Sequence, residues 1–336
     1  MSDRAHDWTD ERIEALKSKM HDVYAQAANE AQDKLDVWLR EYERMRRAWE
    51  KAVSVGVRTR EEFDAWLEER AMERTWQQDM INTLTYDAVN ADVRARQLVN
   101  DEVPTVYAEN ANYATYSIER QAGLDTAFTL YNQDSVRWLV ESDRRLLPEV
   151  DLDKDVDWHR QKLTAAITQG ILQGESIPKV AARIARVTDM DERASERAAR
   201  TAMTLAENKG RQRAFERADG LGIPLEKEWN AHLDGRTRLS HRQADGQKVG
   251  IHEKFVVGGY RMEEPGDNSE APGSEIYCCR CHMGGIVDED GLPPAVIHRF
   301  SKLPKGVSYE DWKAGRYVTD RFGNETDASK RERGVE

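Results

Sequence analysis

Apolar residues recur every three or four positions along the first part of the chain. This spacing places them on one narrow seam of a single helix of about ten turns. The seam consists of Ile13, Leu16, Met20, Val23, Ala27, Ala31, Leu35, Trp38, Tyr42, Met45 and Trp49. Residues 1–103 contain no proline and one glycine, Gly56, which agrees with a helical interior. The pattern predicts a long helix whose seam is buried in its own chain or against a partner.

A second helix is predicted to follow a short turn. Thr59 and Glu62 have the spacing of a capping box, so the turn falls at Val55–Arg58 and residues 1–103 form a long antiparallel helical hairpin. Residues 104–219 are predicted to be a mixed helical region. A helix is expected there at Trp158–Leu172, and another is expected to begin at Asp189 or Asp191.

Glycine and proline divide the chain near residue 220. Residues 1–219 contain 5 Gly and 3 Pro, whereas residues 220–336 contain 16 Gly and 6 Pro. Short apolar runs then replace the helical spacing: the segment 254–262 reads as a β-hairpin, and Glu275–Cys278 as another strand. The predicted fold class is α+β, with the helical hairpin and a helical bundle in the N-terminal two-thirds. A small β-rich domain spans 220–322, and a polar tail, predicted to be disordered, spans 323–336.

Charge and hydropathy exclude several classes of protein. The formal net charge is −12 and the mean hydropathy is −0.80, which disfavours a protein that coats DNA without sequence preference. No apolar run has the length needed to cross a membrane, so no membrane partner is expected. The N-terminal residues have no apolar segment of the secretory kind, so folding is expected in the cytoplasm.

Three cysteines fall within four positions and suggest a metal site. If Tyr277–His282 is a strand, Cys279 and Cys281 share one face. Two thiolates could bind zinc with two further ligands, of which His241 is the best candidate. The other candidates are His232, Asp234 and His252. A buried pair of thiols in a small β core is the alternative interpretation.

Asp234, Arg236, Arg238 and His241 combine an acid, two guanidinium groups and a base. Such a set could hydrolyse a phosphate ester, since a carboxylate can orient an imidazole while arginines bind phosphate. The stronger interpretation is structural, because Asp234–Gly235 is a common turn and no nucleophile in a known catalytic motif accompanies the set.

Arginines also mark the helix that precedes residue 220. Arg193, Arg197 and Arg200 could contact nucleic acid in a salt-dependent way. Because glutamates are interspersed with them, a solvated helical face is the stronger interpretation.

A longer motif resembles a known family. Its positions are Trp229, Asp234, Arg236, Thr237, Arg238, His241, Asp245, Gly246, Phe255, Pro265, Cys279, Arg280 and Cys281. The motif resembles the Mu-type (MuF-like) head morphogenesis family, the minor head proteins of tailed bacteriophages, over about residues 155–290. The chain departs from the family pattern at Cys278, where Asn is usual, and at His282.

The resemblance implies a structural, non-enzymatic protein of the virion. Such proteins are associated with the portal inside the capsid, assemble with the scaffold and major capsid protein in the host cytoplasm, and act in head morphogenesis, DNA packaging or DNA ejection. Packaged DNA is a further candidate partner. The alternative is a nucleic-acid-cleaving or toxin-related enzyme that uses Asp234, Arg236, Arg238 and His241, because related domains occur beside toxin modules.

Overall fold

The computed structural model describes residues 3–72, 74–143, 145–146, 151–173, 175, 177–317 and 326. The first part of the chain is mainly helical. Its elements are α1 (Arg4–Ser54), α2 (Arg60–Met72), α3 (Arg74–Ala122), β1 (Leu124–Asp125), α4 (Gln133–Ser142), α5 (Leu152–Leu172) and α6 (Ile177–Gly220). Short elements follow α6. They are β2 (Leu225–Asn230), α7 (Leu239–Ala244), β3 (Lys248–Gly250), β4 (Phe255–Val257), β5 (Tyr260–Met262), α8 (Gly273–Ile276), β6 (His282–Val287), α9 (Pro294–Arg299), β7 (Ser301–Lys302) and α10 (Tyr309–Lys313). The α+β class is confirmed.

The chain forms two compact units. The helical unit comprises Ala15–Leu98 and Glu149–Glu196, and the mixed unit comprises Met1–Glu14, Val99–Pro148 and Arg197–Glu336. The unit boundaries fall inside α1, α3 and α6. This division differs from the consecutive segments 1–103, 104–219 and 220–322 that the sequence suggested.

The helical unit contains the predicted hairpin between α1 and α2. Thr59 and Glu62 form the capping box, with N···O distances of 2.9 and 3.1 Å. The ring of Trp66 on α2 stacks on those of Tyr42 and Trp49 on α1. These contacts bury the C-terminal part of the predicted seam within its own chain. Trp38 is a member of the seam whose side chain lies outside the described part of the structure.

Five helices share the core of the helical unit, which is a bundle as predicted. The core residues are Leu35, Tyr42, Phe63, Trp66, Ile81, Leu84, Leu163, Ile167, Ile171, Val180, Ala181, Ile184 and Val187. They come from α1, α2, α3, α5 and α6.

Two boundaries suggested by the sequence fall inside helices. Pro104 lies inside α3, where a proline removes one backbone hydrogen bond. The helix continues because Val103 and Val106, beside the proline, are completely buried. No helix begins at Asp189 or Asp191, because both residues lie within α6. The carboxylate of Asp191 instead lies 3.1 Å from the Nε2 atom of His159.

The mixed unit contains an antiparallel sheet in the order β3-β2-β6. Trp229 of β2 is opposite Met283 of β6, and Asn230 is opposite His282. The predicted hairpin of β4 and β5 is confirmed. Gly258 and Gly259 make its turn in the left-handed region, with φ of 60° and 86°, which glycine adopts without steric cost.

The β-rich segment shares its core with two helices. Ile118 of α3 and Phe215 of α6 are buried in the same cluster as Trp229. A Cβ atom at Gly285 would lie only 2.8 Å from the Phe215 ring, so the sheet and α6 are in close contact. The segment 220–322 therefore does not complete a hydrophobic core from its own residues.

The strand predicted at Glu275–Cys278 is wrong. Pro272 caps the short helix α8, which begins at Gly273, and Cys278 has a φ of 59°, in the left-handed region. Neither conformation occurs in a strand, so β6 begins only at His282.

Two further expectations concern the tail and the membrane. The predicted disordered tail, 323–336, lies outside the described residues except for Thr326. In the described part of the chain, no helix combines the length and the apolar character that a membrane crossing requires.

Candidate functional site

Trp229 and Phe255 form the apolar base of the motif. Both are completely buried. The Trp229 ring meets the Phe255 ring edge to face at a centroid distance of 5.4 Å and an angle of 73°. It meets the His241 ring in the same way at 5.7 Å and 79°. Trp229 thus packs directly against the imidazole of the candidate site.

Asp245 and Gly246 hold the end of β2. The Asp245 carboxylate accepts a hydrogen bond of 2.8 Å from the Ala231 N–H, and the Gly246 N–H donates to the Trp229 carbonyl at 2.8 Å. Gly246 has a φ of 75°, which explains why glycine stands there. Asp245 and Gly246 therefore both fix the backbone at the end of β2.

Asp234 organises the turn between β2 and α7. Its carboxylate accepts hydrogen bonds from the Arg236 N–H at 2.9 Å and from both terminal nitrogens of Arg280, each at 2.6 Å. The Arg280 guanidinium is the main cause that holds the pKa of Asp234 far below its ordinary value. The carboxylate stays charged and is already hydrogen bonded, which does not suit a general base.

The remaining residues of the predicted acid–base set point to different partners. Arg236 is highly exposed, and a terminal nitrogen of Arg238 donates to the Tyr277 carbonyl. The ring of His241 faces Cys279 and Cys281 rather than Asp234. The four residues therefore do not converge on one reacting atom.

His241, Cys279 and Cys281 come together in the interior. Each is 2% exposed. The Nδ1 atom of His241 lies 3.2 Å from the Cys281 Sγ atom and 3.6 Å from the Cys279 Sγ atom. The predicted pair of cysteines thus does face His241, although a loop after α8 brings them there and not a strand.

Two alternative ligands have other partners. The Nε2 atom of His252 is 3.4 Å from the carboxylate of Asp219, at the surface. His232 belongs to a different group of possible ligand atoms, with His6 and Asp10. The three buried residues are therefore the ligand set to consider.

The two thiols differ in proton affinity. A hydrogen bond with Cys281 raises the pKa of Cys279 well above the ordinary value, and burial acts in the same direction. The same hydrogen bond lowers the pKa of Cys281 and outweighs its burial. Burial is the largest influence on the pKa of His241 and lowers it, but the hydrogen bond and charge of Cys279 together with the charge of Glu275 outweigh burial, so the net direction is upward.

Helix α6 binds the backbone of this segment with three polar side chains. Thr204 donates to the Cys279 carbonyl at 3.0 Å. The amide of Asn208 donates to the Cys281 carbonyl at 3.3 Å and accepts from the Met283 N–H at 2.8 Å. Arg211 donates to the Met283 carbonyl at 2.9 Å. Successive turns of α6 therefore bind the backbone of every second residue of this segment: Cys279, Cys281 and Met283.

A buried charge cluster lies at the same helix. Arg211, 3% exposed, donates to the Asp3 carboxylate at 2.8 Å through two nitrogens and to Glu207 at 3.1 Å. Glu207 also contacts His6 at 3.0 Å, and the His6 ring stacks on that of His282. Sequence reasoning missed this cluster because charged side chains on a helix usually face solvent. The signal in the sequence was the spacing of Glu207 and Arg211, which lie four residues apart on one helix face.

The three candidate nucleic-acid arginines have different environments. Arg193 and Arg197 are exposed. Arg200 is 9% exposed and contacts the carboxylates of Asp10 at 3.1 Å and Glu14 at 2.8 Å. Because acidic side chains already hold its guanidinium, Arg200 is the least accessible of the three arginines to phosphate.

Known proteins are similar to this chain over the motif and over residues outside it. Residues 161–284 match the family described as phage Mu protein F like protein. The chain is 28% identical over 236 residues to the minor head protein GP7 of Bacillus phage SPP1, covering 67% of this chain and 74% of GP7. It is 29% identical over 215 residues to the NAD(+)--arginine ADP-ribosyltransferase EFV of Enterococcus faecalis. That match covers 62% of this chain but only 43% of EFV. No solved structure gives a significant match.

Together, the fold and the site define an α+β protein in which contacts within the fold hold most of the motif residues. Residues 161–284 match the Mu-type family model, and the chain is similar to a phage minor head protein over most of that protein's length. The matched segment includes His241, Cys279 and Cys281, and the family resemblance of the motif is confirmed.

Proposed function

We propose that this chain is a structural minor head protein of a tailed bacteriophage. It associates with the portal inside the capsid and acts in head morphogenesis, DNA packaging or DNA ejection. The observation that carries the proposal is the similarity to GP7, which extends over 74% of that minor head protein. An alignment of that extent includes most of the relative and not only a shared module.

The contacts of the motif support a role without catalysis. Asp234 binds Arg280 at two points, Arg238 binds a backbone carbonyl, and His241 faces two thiols. A hydrolytic site needs an acid or base within reach of one reacting atom. These groups instead hold a turn and a loop against the sheet.

The partners follow from the proposed role. They are the portal protein and the major capsid or scaffold protein, with the capsid interior near the portal as the location after assembly in the host cytoplasm. Packaged DNA is a weaker candidate, for which Arg193 and Arg197 are the exposed cations. Binding through them should weaken as salt rises, because phosphate contacts release counterions.

Native mass spectrometry of the chain with the portal protein of the same phage tests the proposal. The expected result is a complex whose mass equals the portal ring plus one or more copies of this chain. A portal ring that stays unchanged at micromolar excess of the chain contradicts the portal association. An unrelated phage portal is the matched control.

The second candidate function is enzymatic and rests on the similarity to EFV. That match covers 43% of EFV, which leaves more than half of that enzyme without a counterpart in the alignment. We expect no transfer of ADP-ribose when the chain is incubated with NAD and arginine-rich proteins, with EFV as the positive control. Transfer that His241→Ala abolishes in a folded protein would establish an enzyme that uses the motif.

A further inference from the structure

We propose that His241, Cys279 and Cys281 bind one zinc ion, with water as the fourth ligand. Nothing in the family match or in the names of the relatives assigns a metal to these residues. The three ligand atoms lie within 4.8 Å of one another and all three residues are buried.

The distances between the ligand atoms fit tetrahedral zinc. Zn–S bonds of about 2.3 Å and a Zn–N bond of about 2.05 Å, at the tetrahedral angle, put sulfur and nitrogen about 3.6 Å apart. The observed distances from the His241 Nδ1 atom are 3.6 Å to the Cys279 Sγ atom and 3.2 Å to the Cys281 Sγ atom. Movements of a few tenths of an ångström would complete the geometry.

The side chains around the three ligands are placed like the outer residues that orient the ligands of a zinc site. The Nε2 atom of His241 lies 3.3 Å from the Glu275 carboxylate, which also accepts a hydrogen bond of 2.7 Å from Ser240. A carboxylate at this nitrogen leaves Nδ1 free for the metal. The Cys281 N–H donates to the Cys279 Sγ atom at 3.4 Å.

The fourth position faces a small cleft. Besides the three ligands, its walls are His232, Arg236, Thr237, Arg238, Cys278 and Arg280. The cleft provides a path by which the ion and a water molecule reach the buried thiols. The site thus has three protein ligands and one position for solvent. The metal would join α7 to the loop after α8, next to the Asp234–Arg280 pair.

Metal analysis and cobalt substitution of the full chain test this proposal. The protein is purified under reduction, and its zinc is measured by plasma mass spectrometry before and after exchange for Co²⁺. The expected results are one zinc per chain and a thiolate-to-cobalt charge-transfer absorption. A reduced, folded wild-type protein that contains no zinc and gives no such absorption overturns the proposal, as does a stable Cys279–Cys281 disulfide in freshly isolated protein.

Variants separate a metal site from a buried thiol pair. Cys279→Ser and Cys281→Ser should each lose the bound zinc, whereas Cys278→Ser, at the exposed cysteine, should keep it. Glu275→Gln should weaken zinc binding by about 10-fold or more, because it removes the charge of the carboxylate beside His241. Equal zinc content in all four proteins overturns the assignment. The wild-type cobalt titration decides the question even if a variant does not fold. Failure of the zinc site would leave the head-protein proposal unchanged.

Discussion

The carboxylate of Asp234 and the guanidinium of Arg280 form a two-point ion pair, with both N···O distances at 2.6 Å. Asp234 lies in the turn after β2, and Arg280 lies between the two buried cysteines. The pair therefore joins two segments that are 46 residues apart in the sequence. Because a planar guanidinium and a carboxylate form two parallel hydrogen bonds, the pair fixes the relative orientation of the two side chains.

Arg280→Ala should lower the melting temperature, because it removes both hydrogen bonds to the Asp234 carboxylate. Arg236→Ala is the matched control, since the Arg236 side chain is 83% exposed and lies 3.7 Å from the same carboxylate. Differential scanning calorimetry of both variants measures the effect. A larger fall in melting temperature for Arg236→Ala than for Arg280→Ala would show that the Asp234–Arg280 ion pair does not stabilise the turn.

Gly210→Ala should destabilise the mixed unit by about 1–3 kcal/mol, the usual cost of overpacking. An added Cβ atom would lie 2.3 Å from the carbonyl oxygen of Tyr107, and a backbone atom of α3 cannot rotate away as a side chain can. Gly220→Ala is the control, because nothing lies within 4 Å of its Cβ position. Urea unfolding of the two variants gives the comparison, and equal midpoints would contradict the close contact.

Phe255→Ala should lower the free energy of unfolding by about 3–5 kcal/mol, the usual range for removing a buried phenylalanine ring. The ring is completely buried against Trp229. The next residue, Val256, is 54% exposed, so Val256→Ala should change stability by only about 0.5 kcal/mol. Chemical denaturation checks both values. Similar losses for the two variants would mean that the strand is not packed as described.

The buried His159 should make stability depend on pH. Its Nε2 atom lies 2.9 Å from the Asp92 carboxylate and 3.1 Å from that of Asp191. Burial lowers the pKa of His159, but the two carboxylates outweigh burial and raise it to about 9. The unfolded chain releases this proton near 6.5, so between 6.5 and 9 the native state binds more protons.

The contribution of His159 is therefore complete below pH 6.5 and is lost as pH rises through about 9. A single proton gives a slope of at most about 1.4 kcal/mol per pH unit. His159→Gln should flatten the fall in unfolding free energy over this range, whereas His298→Gln, at an exposed histidine, should leave it unchanged. Urea titrations at four pH values provide the test, and parallel curves for wild type and His159→Gln would refute the assignment.

The helical hairpin was predictable because its signals are local. The spacing from Ile13 to Trp49 and the capping box at Thr59 depend on residues within one or two turns. Local reasoning does not show that the helix continues through Pro104, because the burial of Val103 and Val106 depends on distant contacts. The single helix α6 was likewise missed, since an aspartate at 189 or 191 is a good cap by itself.

The candidate site was predictable in its members but not in its geometry. Cys279, Cys281 and His241 converge, yet the expected strand does not exist, because Cys278 adopts a left-handed conformation. The roles of Asn208 and Arg211 depend on a helix that binds alternate backbone groups of a loop about 70 residues further along the chain. Such long-range pairing leaves no local pattern in the sequence.

Quantitative mass spectrometry of purified heads tests the central claim most directly. Heads from a phage that encodes this chain are separated from unassembled protein and compared with heads from a strain in which the gene is interrupted. The account predicts that the chain is present in the intact heads, at far fewer copies than the major capsid protein. Its absence from those heads, with the chain abundant in the unassembled fraction, would contradict the account.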